Sequence, residues 1–227
     1  MKILIATPAF GGQISSSYVL SLIPTLAGFR QDNIDFSLMV ISNESLINRA
    51  RNSIAHTALQ HNFDKVMWID ADIAWNYNDI RTLLLSDKLV VGGTYPVKAL
   101  PISLNFNALP EHIDKFSFQK SPKELSFYKE IAPKGEVEVA HIPTGFLCVH
   151  TEVFRTLKKV VPFYTHRDFH TNELSSIPEF FPVRVKNNVL ESEDWAFCSI
   201  CRENDISVYF NYNVLVSHTG NFVFSPF

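Results

Sequence analysis

Apolar and polar residues alternate in blocks through the first ninety positions. Lys2 to Thr7 holds the unbroken run Ile3-Leu4-Ile5-Ala6, ended by Pro8 and the Gly11-Gly12 pair; a short apolar run closed by turn residues predicts a buried strand. Ser15 then opens an amphipathic stretch to about Arg30, which predicts a helix. Asn33 to Ile41 alternates as a strand does and runs into Ser42-Asn43, Glu44 to Asn62 has helical spacing, and Lys65 to Ile69 is a short buried strand leading into Asp70-Ala71-Asp72. Asn78 is placed to cap a further helix, and Leu89 to Val91 forms a strand closed by Gly92-Gly93. Four such alternations predict a parallel sheet with right-handed crossovers.

After Tyr95 the rhythm fails. Pro96, Pro101, Pro110, Pro122 and Pro133 interrupt a Phe- and Lys-rich stretch to Lys134 and predict a loop-rich insert. Order returns with Val137 to Ile142, the Pro143-Thr144-Gly145 turn, Phe146 to Val149 and a helix from about Thr151. A second loop region holds Pro162, Pro178 and Pro182, and a helix from about Ser192 to Glu203 precedes a β-rich tail, Ser207 to Ser217. The expected fold is α/β: one domain over 1–227, with a mostly parallel central sheet, helices on both faces and a small antiparallel β portion. It divides into 1–95, the insert 96–135, and 136–227.

Composition narrows the function. The 227 residues are 46% hydrophobic, enough for one sizeable core. The net charge of −3, with no basic cluster longer than Lys158-Lys159, excludes the broad footprint of a nucleic-acid binder. Apolar runs fall far short of the roughly 18 to 20 residues that span a bilayer, and the start leads into a Thr-Pro turn, not a signal-peptide core. A soluble, cytoplasmic chain without a transmembrane segment is expected, in host cytoplasm if it is encoded by a virus or phage. Three cysteines, Cys148, Cys198 and Cys201, argue against a disulfide framework, so the Asn43-Glu44-Ser45 sequon is expected to be silent.

Several residues carry candidate chemistry. Asp70 and Asp72 follow a buried strand, and in extended geometry both side chains point one way, at the end where open α/β sheets collect ligands. They read either as hard oxygen ligands for a divalent ion or as a solvated turn. On a helical wheel Arg51 falls in the apolar stripe of Ile47, Ala50, Ile54, Ala55 and Ala58, with Arg49, Asn52 and His56 opposite. A charge there needs a partner, and Asp70 is within plausible reach, unless the side chain snorkels to the stripe's edge. Glu193 and Asp194 open the last helix, favouring its dipole or serving as a general base. His218 leaves the tail at a turn, as a ligand or as an ordinary structural histidine. Cys198 and Cys201 have redox spacing but lie inside a helix. His166 and His170 have i,i+4 spacing without the intervening glutamate of a zinc-protease helix. Trp68, Trp75 and Tyr95 either stack on a ligand or belong to the core.

Taken in order, Thr7-Pro8, Asn48-Arg49-Ala50-Arg51-Asn52, Trp68-Ile69-Asp70-Ala71-Asp72, Gly92-Gly93-Thr94-Tyr95-Pro96, Pro143-Thr144-Gly145-Phe146, Glu193-Asp194 and His218 resemble a GT-A (Rossmann-like) glycosyltransferase. The chain is similar to a class of mannosyltransferases and to small phage and algal-virus glycosyltransferases. The resemblance implies a nucleotide-binding half at 1–95 and an acceptor-side half at 136–227. It implies a metal-dependent transfer from a UDP- or GDP-sugar to a glycan or glycoprotein hydroxyl. Thr7, Pro8, Asn43, Arg51, Asp70, Gly93 and Gly145 would then bind the donor, Gly145 also lining the acceptor side. Asp72 and His218, with Asp70, would hold Mn2+ or Mg2+ on the diphosphate, and Glu193 and Asp194 would be the acidic pair at the reacting carbon. The Pro-rich insert departs from the family pattern. The rivals are a sugar-phosphate nucleotidyltransferase, a phosphatase of the haloacid-dehalogenase type and a non-catalytic carbohydrate-binding domain.

Overall fold

The structure, a computed structural model, describes residues 1–117, 120–167, 172–220 and 223–226. The elements through the first alternations are β1 (Lys2–Ala9), α1 (Ser16–Gln31), β2 (Asp35–Ser42), α2 (Ile47–Gln60), β3 (Lys65–Ile69), β4 (Ile73–Ala74), α3 (Tyr77–Leu85) and β5 (Val90–Thr94). Then come α4 (Ser126–Ile131), β6 (Glu136–Glu138), β7 (Phe146–His150), α5 (Thr151–Leu157), β8 (Phe163–Arg167) and β9 (Leu174–Pro178). The chain continues through β10 (Arg184–Lys186), β11 (Val189–Glu191), α6 (Glu193–Glu203), β12 (Tyr209–Leu215), β13 (Ser217–Thr219) and β14 (Val223–Phe224).

Seven strands form the central sheet in the order β2-β1-β3-β7-β5-β12-β6. β1 is parallel to β2 and β3, β5 is parallel to β12, and β7 and β6 run against their neighbours. The result is the mostly parallel α/β sheet that the alternation predicts, compatible with a Rossmann-like domain. One detail differs: the fourth alternation does not place β5 beside β3, because β7 enters antiparallel between them. Its run Phe146-Leu147-Cys148-Val149 is buried throughout and suits a strand covered on both faces. Three small sheets, β8-β9, β10-β11 and β14-β13-β4, are antiparallel.

Strand periodicity divides the core in two. Ile3, Ile5, Met67 and Ile69 pack with Tyr18 and Phe29 of α1 and Ile80, Leu83 and Leu84 of α3. Leu4, Ala6, Val66 and Trp68 pack on the other face with Ile54, Ala55 and Ala58 of α2, Phe154 of α5 and Phe197 of α6. Helices therefore cover both faces, which is why β1 and β3 read as unbroken apolar runs. Buried Lys65 is satisfied by donating its Nζ to Leu84 O at 2.7 Å and Ser86 O at 2.9 Å, closing the C-terminus of α3.

Several boundaries move for identifiable reasons. β1 continues through Pro8 to Ala9, in register with Ile41 and Ser42. β3 pairs only with Ile3 to Ala6, so the missing Pro8 N–H costs no ladder bond on that side. α2 begins at Ile47, because Glu44 stands before it and accepts from Leu46 N and, twice, from Arg49. α3 is capped at Asn76, not Asn78, with the Asp79 carboxylate accepting Asn76 N–H at 2.8 Å. The strand expected over 137–142 shortens to β6. No helix among the described residues is long and apolar enough to cross a membrane.

Candidate functional site

The C-terminal ends of β1, β2 and β3 open into a cleft of about 500 Å³, whose walls include Pro8, Phe10, Ile14, Glu44, Asp70 and Asp72. Phe10 is 79% exposed at its rim. Thr7 stands one residue too deep to line it: its side chain is fully buried and its hydroxyl is hydrogen-bonded to Tyr18 Oη at 2.6 Å. Asn43 occupies the exposed turn after β2 with φ of 62°, beside cleft residues Glu44 and Ser45. Gly93 lies inside the sheet, where a Cβ would stand 2.7 Å from Val214 O. Its small size lets β5 and β12 approach, and it does not line the cleft.

Arg51 is 2% exposed, as its place on the wheel demands. Its Nη2 lies 3.3 and 3.4 Å from the two oxygens of Asp70, and its Nε lies 3.5 Å from Glu193 Oε1 at the start of α6. Nε and Nη1 make no hydrogen bond among the described residues, so the guanidinium is held chiefly by charge. Burial opposes ionisation of Arg51, but the Asp70 and Glu193 carboxylates prevail and its pKa is raised. Burial also pushes up the carboxyls of Asp70 and Glu193, with Arg51 partly offsetting both. Gly145 closes this cluster: Asp70 N donates to its carbonyl at 3.0 Å, and a Cβ on it would stand 2.7 Å from Asp70 Oδ2 and collide with the Tyr95 hydroxyl. Burial, then the carboxylates of Asp70 and Asp194, hold that phenol well above its ordinary value.

Asp72 faces elsewhere. Extended geometry would align it with Asp70, but the chain turns here, with Ile73 N donating to Asp70 O at 3.1 Å, and the two side chains meet different partners. Lys98 Nζ donates to Asp72 Oδ2, and His218 Nε2 lies 3.5 Å from Oδ1. β13 pairs with β4, the strand that follows Asp72, and this pairing delivers His218 to the turn. Thr219 N donates to Asp72 O at 2.7 Å, and its hydroxyl is bonded to Ser17 Oγ of α1. His218 Nδ1 lies 3.0 Å from the Pro96 carbonyl, which can only accept, so Nδ1 carries a proton and Nε2 is the ring nitrogen turned towards Asp72. Burial would raise the Asp72 carboxyl, but His218 and Lys98 outweigh it and hold the carboxyl below its ordinary value.

Among the described residues no group of three or more His, Cys, Asp or Glu side chains is arranged to hold a metal ion. Asp72 and His218 supply two donors, a set that fits an ion completing its shell with phosphate and water oxygens. Asp70, which the resemblance also assigns to the metal, is engaged by Arg51 instead.

At the start of α6 the paired acids part. Glu193 turns to Arg51, whereas Asp194 Oδ1 accepts from Trp195 N at 2.8 Å and from Ser192 Oγ. Trp195 stacks on His141 at 5.0 Å between ring centroids, and His141 Nε2 is bonded to Ser199 Oγ at 3.1 Å. The structure thus brings Arg51, Asp70, Gly145 and Glu193 together and sets Asp72 with His218. Sequence pattern passed over Lys98, hidden in the Pro-rich insert, and Phe10; a lone Lys after Gly-Gly-Thr-Tyr-Pro carries no periodic signal. Asn52 is also buried, against its wheel position, because its Oδ1 accepts from Phe181 N at 2.9 Å. Trp68 and Trp75 belong to the core, the latter donating Nε1–H to Thr25 Oγ1. Cys198 and Cys201 are buried in α6, and burial pushes the Cys198 thiol up to about 12. His166 lies on strand β8, not on a helix, and His170 is outside the described residues.

No family model and no curated protein sequence matches the chain. Among solved structures it is similar to A197 from STIV, with a TM-score of 0.57 at 14% identity over 97% of this chain and 86% of that one. This likeness shows a shared fold. A putative glucose-1-phosphate thymidylyltransferase from Bacillus anthracis, solved in complex with a sucrose, aligns over 71% of this chain and 76% of its own at 11% identity and a TM-score of 0.34, too loosely to carry an argument.

Proposed function

We propose that the protein is a glycosyltransferase that uses a nucleoside-diphosphate sugar, UDP- or GDP-linked, and a divalent cation, Mn2+ or Mg2+, to glycosylate a glycan or glycoprotein hydroxyl. One observation carries this reading: a cleft at the carboxyl ends of the parallel strands is edged by Asp72 with His218 and backed by Asp70, which buried Arg51 ties to Glu193 beside Asp194. Ligands of open α/β sheets bind at that edge. Exposed Phe10 with Ile14 offers an apolar wall for a base, and the turn at Asn43 to Ser45 offers polar groups for the ribose.

Asp72 and His218 would hold a divalent ion there, and the chemistry it would supply is positive charge against the departing diphosphate. The chain's own part is placement and proton transfer. Asp72 and His218 Nε2, as holders of that ion, would fix where the diphosphate end of the donor sits. Arg51 offsets part of the charge of Asp70 and Glu193, so that these acids stand beside an anionic donor at lower electrostatic cost. Asp194, not engaged by Arg51's guanidinium, takes the acceptor hydroxyl proton as the new C–O bond forms and the bond from sugar to diphosphate breaks, its electron pair leaving on the phosphate oxygen.

A nucleotidyltransferase needs cations for a triphosphate in its first loop, and Pro8 to Gln13 has none. A passive carbohydrate-binding domain gives no role to a buried arginine between two acids. Nucleotide-sugar hydrolysis and transfer, screened over UDP- and GDP-sugars with and without Mn2+, tests the reading. Turnover of one donor, with kcat falling about 10²- to 10⁴-fold in Asp194→Asn while donor affinity holds, is the expected result. Turnover of no donor, or an unchanged kcat in the variant, refutes it.

A further inference from the structure

The proposed donor cleft has an electrostatic deficit. Glu44, Asp70 and Asp72 line it, and none of its described lining residues is Lys or Arg. Arg49 beside the cleft is committed to Glu44, and buried Arg51 to Asp70 and Glu193. A nucleoside diphosphate entering such a cleft meets acids first, and a divalent ion on two donors offsets only part of that charge.

Lys98 is the cation placed to supply the rest. Its ammonium bonds Asp72 Oδ2, and its stem passes over Gly220, where a Cβ would stand 3.2 Å from Lys98 Cδ. Asp72 and Gly220 both line the cleft, so the ammonium stands at its edge. The backbone beneath it is pinned: Val97 N donates to Ser103 O at 2.9 Å, Pro96 pairs with Leu104, and His218 Nδ1 bonds Pro96 O. The side chain itself is 39% exposed and reaches across four carbons, so it can change partner while its anchor stays still.

We propose that Lys98 is a phosphate-binding residue of the donor site, holding the Asp72 carboxylate while the donor is absent and turning to the donor's diphosphate when a divalent cation takes that carboxylate. The inference rests on the glycosyltransferase reading. Its logic is competition: the ammonium and a divalent ion seek the same carboxylate and repel each other there, while the arriving phosphates offer the ammonium a new anionic partner.

The experiment compares wild type with Lys98→Met and Lys98→Arg. Calorimetry measures binding of UDP, GDP, uridine and guanosine at saturating Mn2+, and electron paramagnetic resonance measures binding of Mn2+ alone. In Lys98→Met, diphosphate affinity should fall roughly tenfold or more, the scale of a charge-assisted hydrogen bond, with nucleoside affinity little changed. Mn2+ alone should bind several-fold more tightly, since its competitor is gone. Lys98→Arg should keep most of the diphosphate affinity. A diphosphate affinity in Lys98→Met equal to wild type, or Mn2+ affinity unchanged or weaker, overturns the inference while leaving the glycosyltransferase reading intact. Failure of the wild type to bind either diphosphate with Mn2+ overturns both. Thermal melting verifies that the variants are folded.

Discussion

The Arg51 cluster and the Asp72 cluster adjoin one turn of chain and meet opposite electrostatic conditions. In the first, Arg51, Asp70 and Glu193 come together behind the cleft, where burial raises both carboxyls and the guanidinium holds them in place. In the second, Asp72 stands at the cleft edge, more than a third exposed, between His218 and Lys98, and its carboxyl is lowered. Two aspartates separated by one alanine thus shift in opposite directions. The contrast suits them to different work: the buried cluster is packed to hold positions, whereas in our proposal the open one gives Asp72 to a divalent ion and Lys98 to the phosphates.

If that contrast is sound, Arg51→Met should cause the largest loss of stability, about 3 to 5 kcal/mol in urea unfolding at pH 7, since it strands two carboxylates. Adding Asp70→Asn should recover part of it; a near-wild-type single variant would break the comparison. Gly145→Ala should cost about 1 to 3 kcal/mol, because the new methyl must displace the Tyr95 hydroxyl and Asp70 Oδ2. A crystal structure of that variant should show Asp70 moved from Arg51.

The open cluster should respond in binding more than in folding. Mn2+ should raise wild-type affinity for UDP or GDP about tenfold, roughly 1.4 kcal/mol, and Asp72→Ala should erase that dependence with its melting temperature nearly kept. Equal dependence in the variant would remove Asp72 from the ion's shell. The smallest effect concerns acid stability. Because the Asp72 carboxyl is lowered in the fold, its contribution is present above its ordinary value of 3.8 and lost as pH falls through its folded value. Asp72→Asn should therefore be less stable than wild type at pH 7 by no more than about 1 kcal/mol, given its exposure. The gap should close in urea titrations below that ordinary value; a gap that widens in acid would contradict the assigned shift.

Much of the architecture was legible from local pattern. The apolar runs of β1 and β3 read as buried strands, and the stripe of α2 left Arg51 facing the interior. Where periodicity was weak the reading slipped: β6 is shorter than its apolar run, and Asn76, not Asn78, begins α3, because a cap depends on which side chain meets a free N–H. The direction of Asp72 was not legible either. A single turn at residues 70 to 73 undid the strand geometry that would have aligned it with Asp70.

By itself, then, the sequence determined the alternating α/β elements, the two-faced apolar core and the need of Arg51 for a partner, because each follows from side-chain spacing and the cost of an unpaired buried charge. Only the tertiary structure decided that β7 enters between β3 and β5, that Glu193 shares Arg51 with Asp70, and that β13 and the loop after β5 bring His218 and Lys98 to Asp72. Those pairs lie 142, 146 and 26 residues apart, and contacts at such separations are chosen by the packing of whole elements, which no local pattern records.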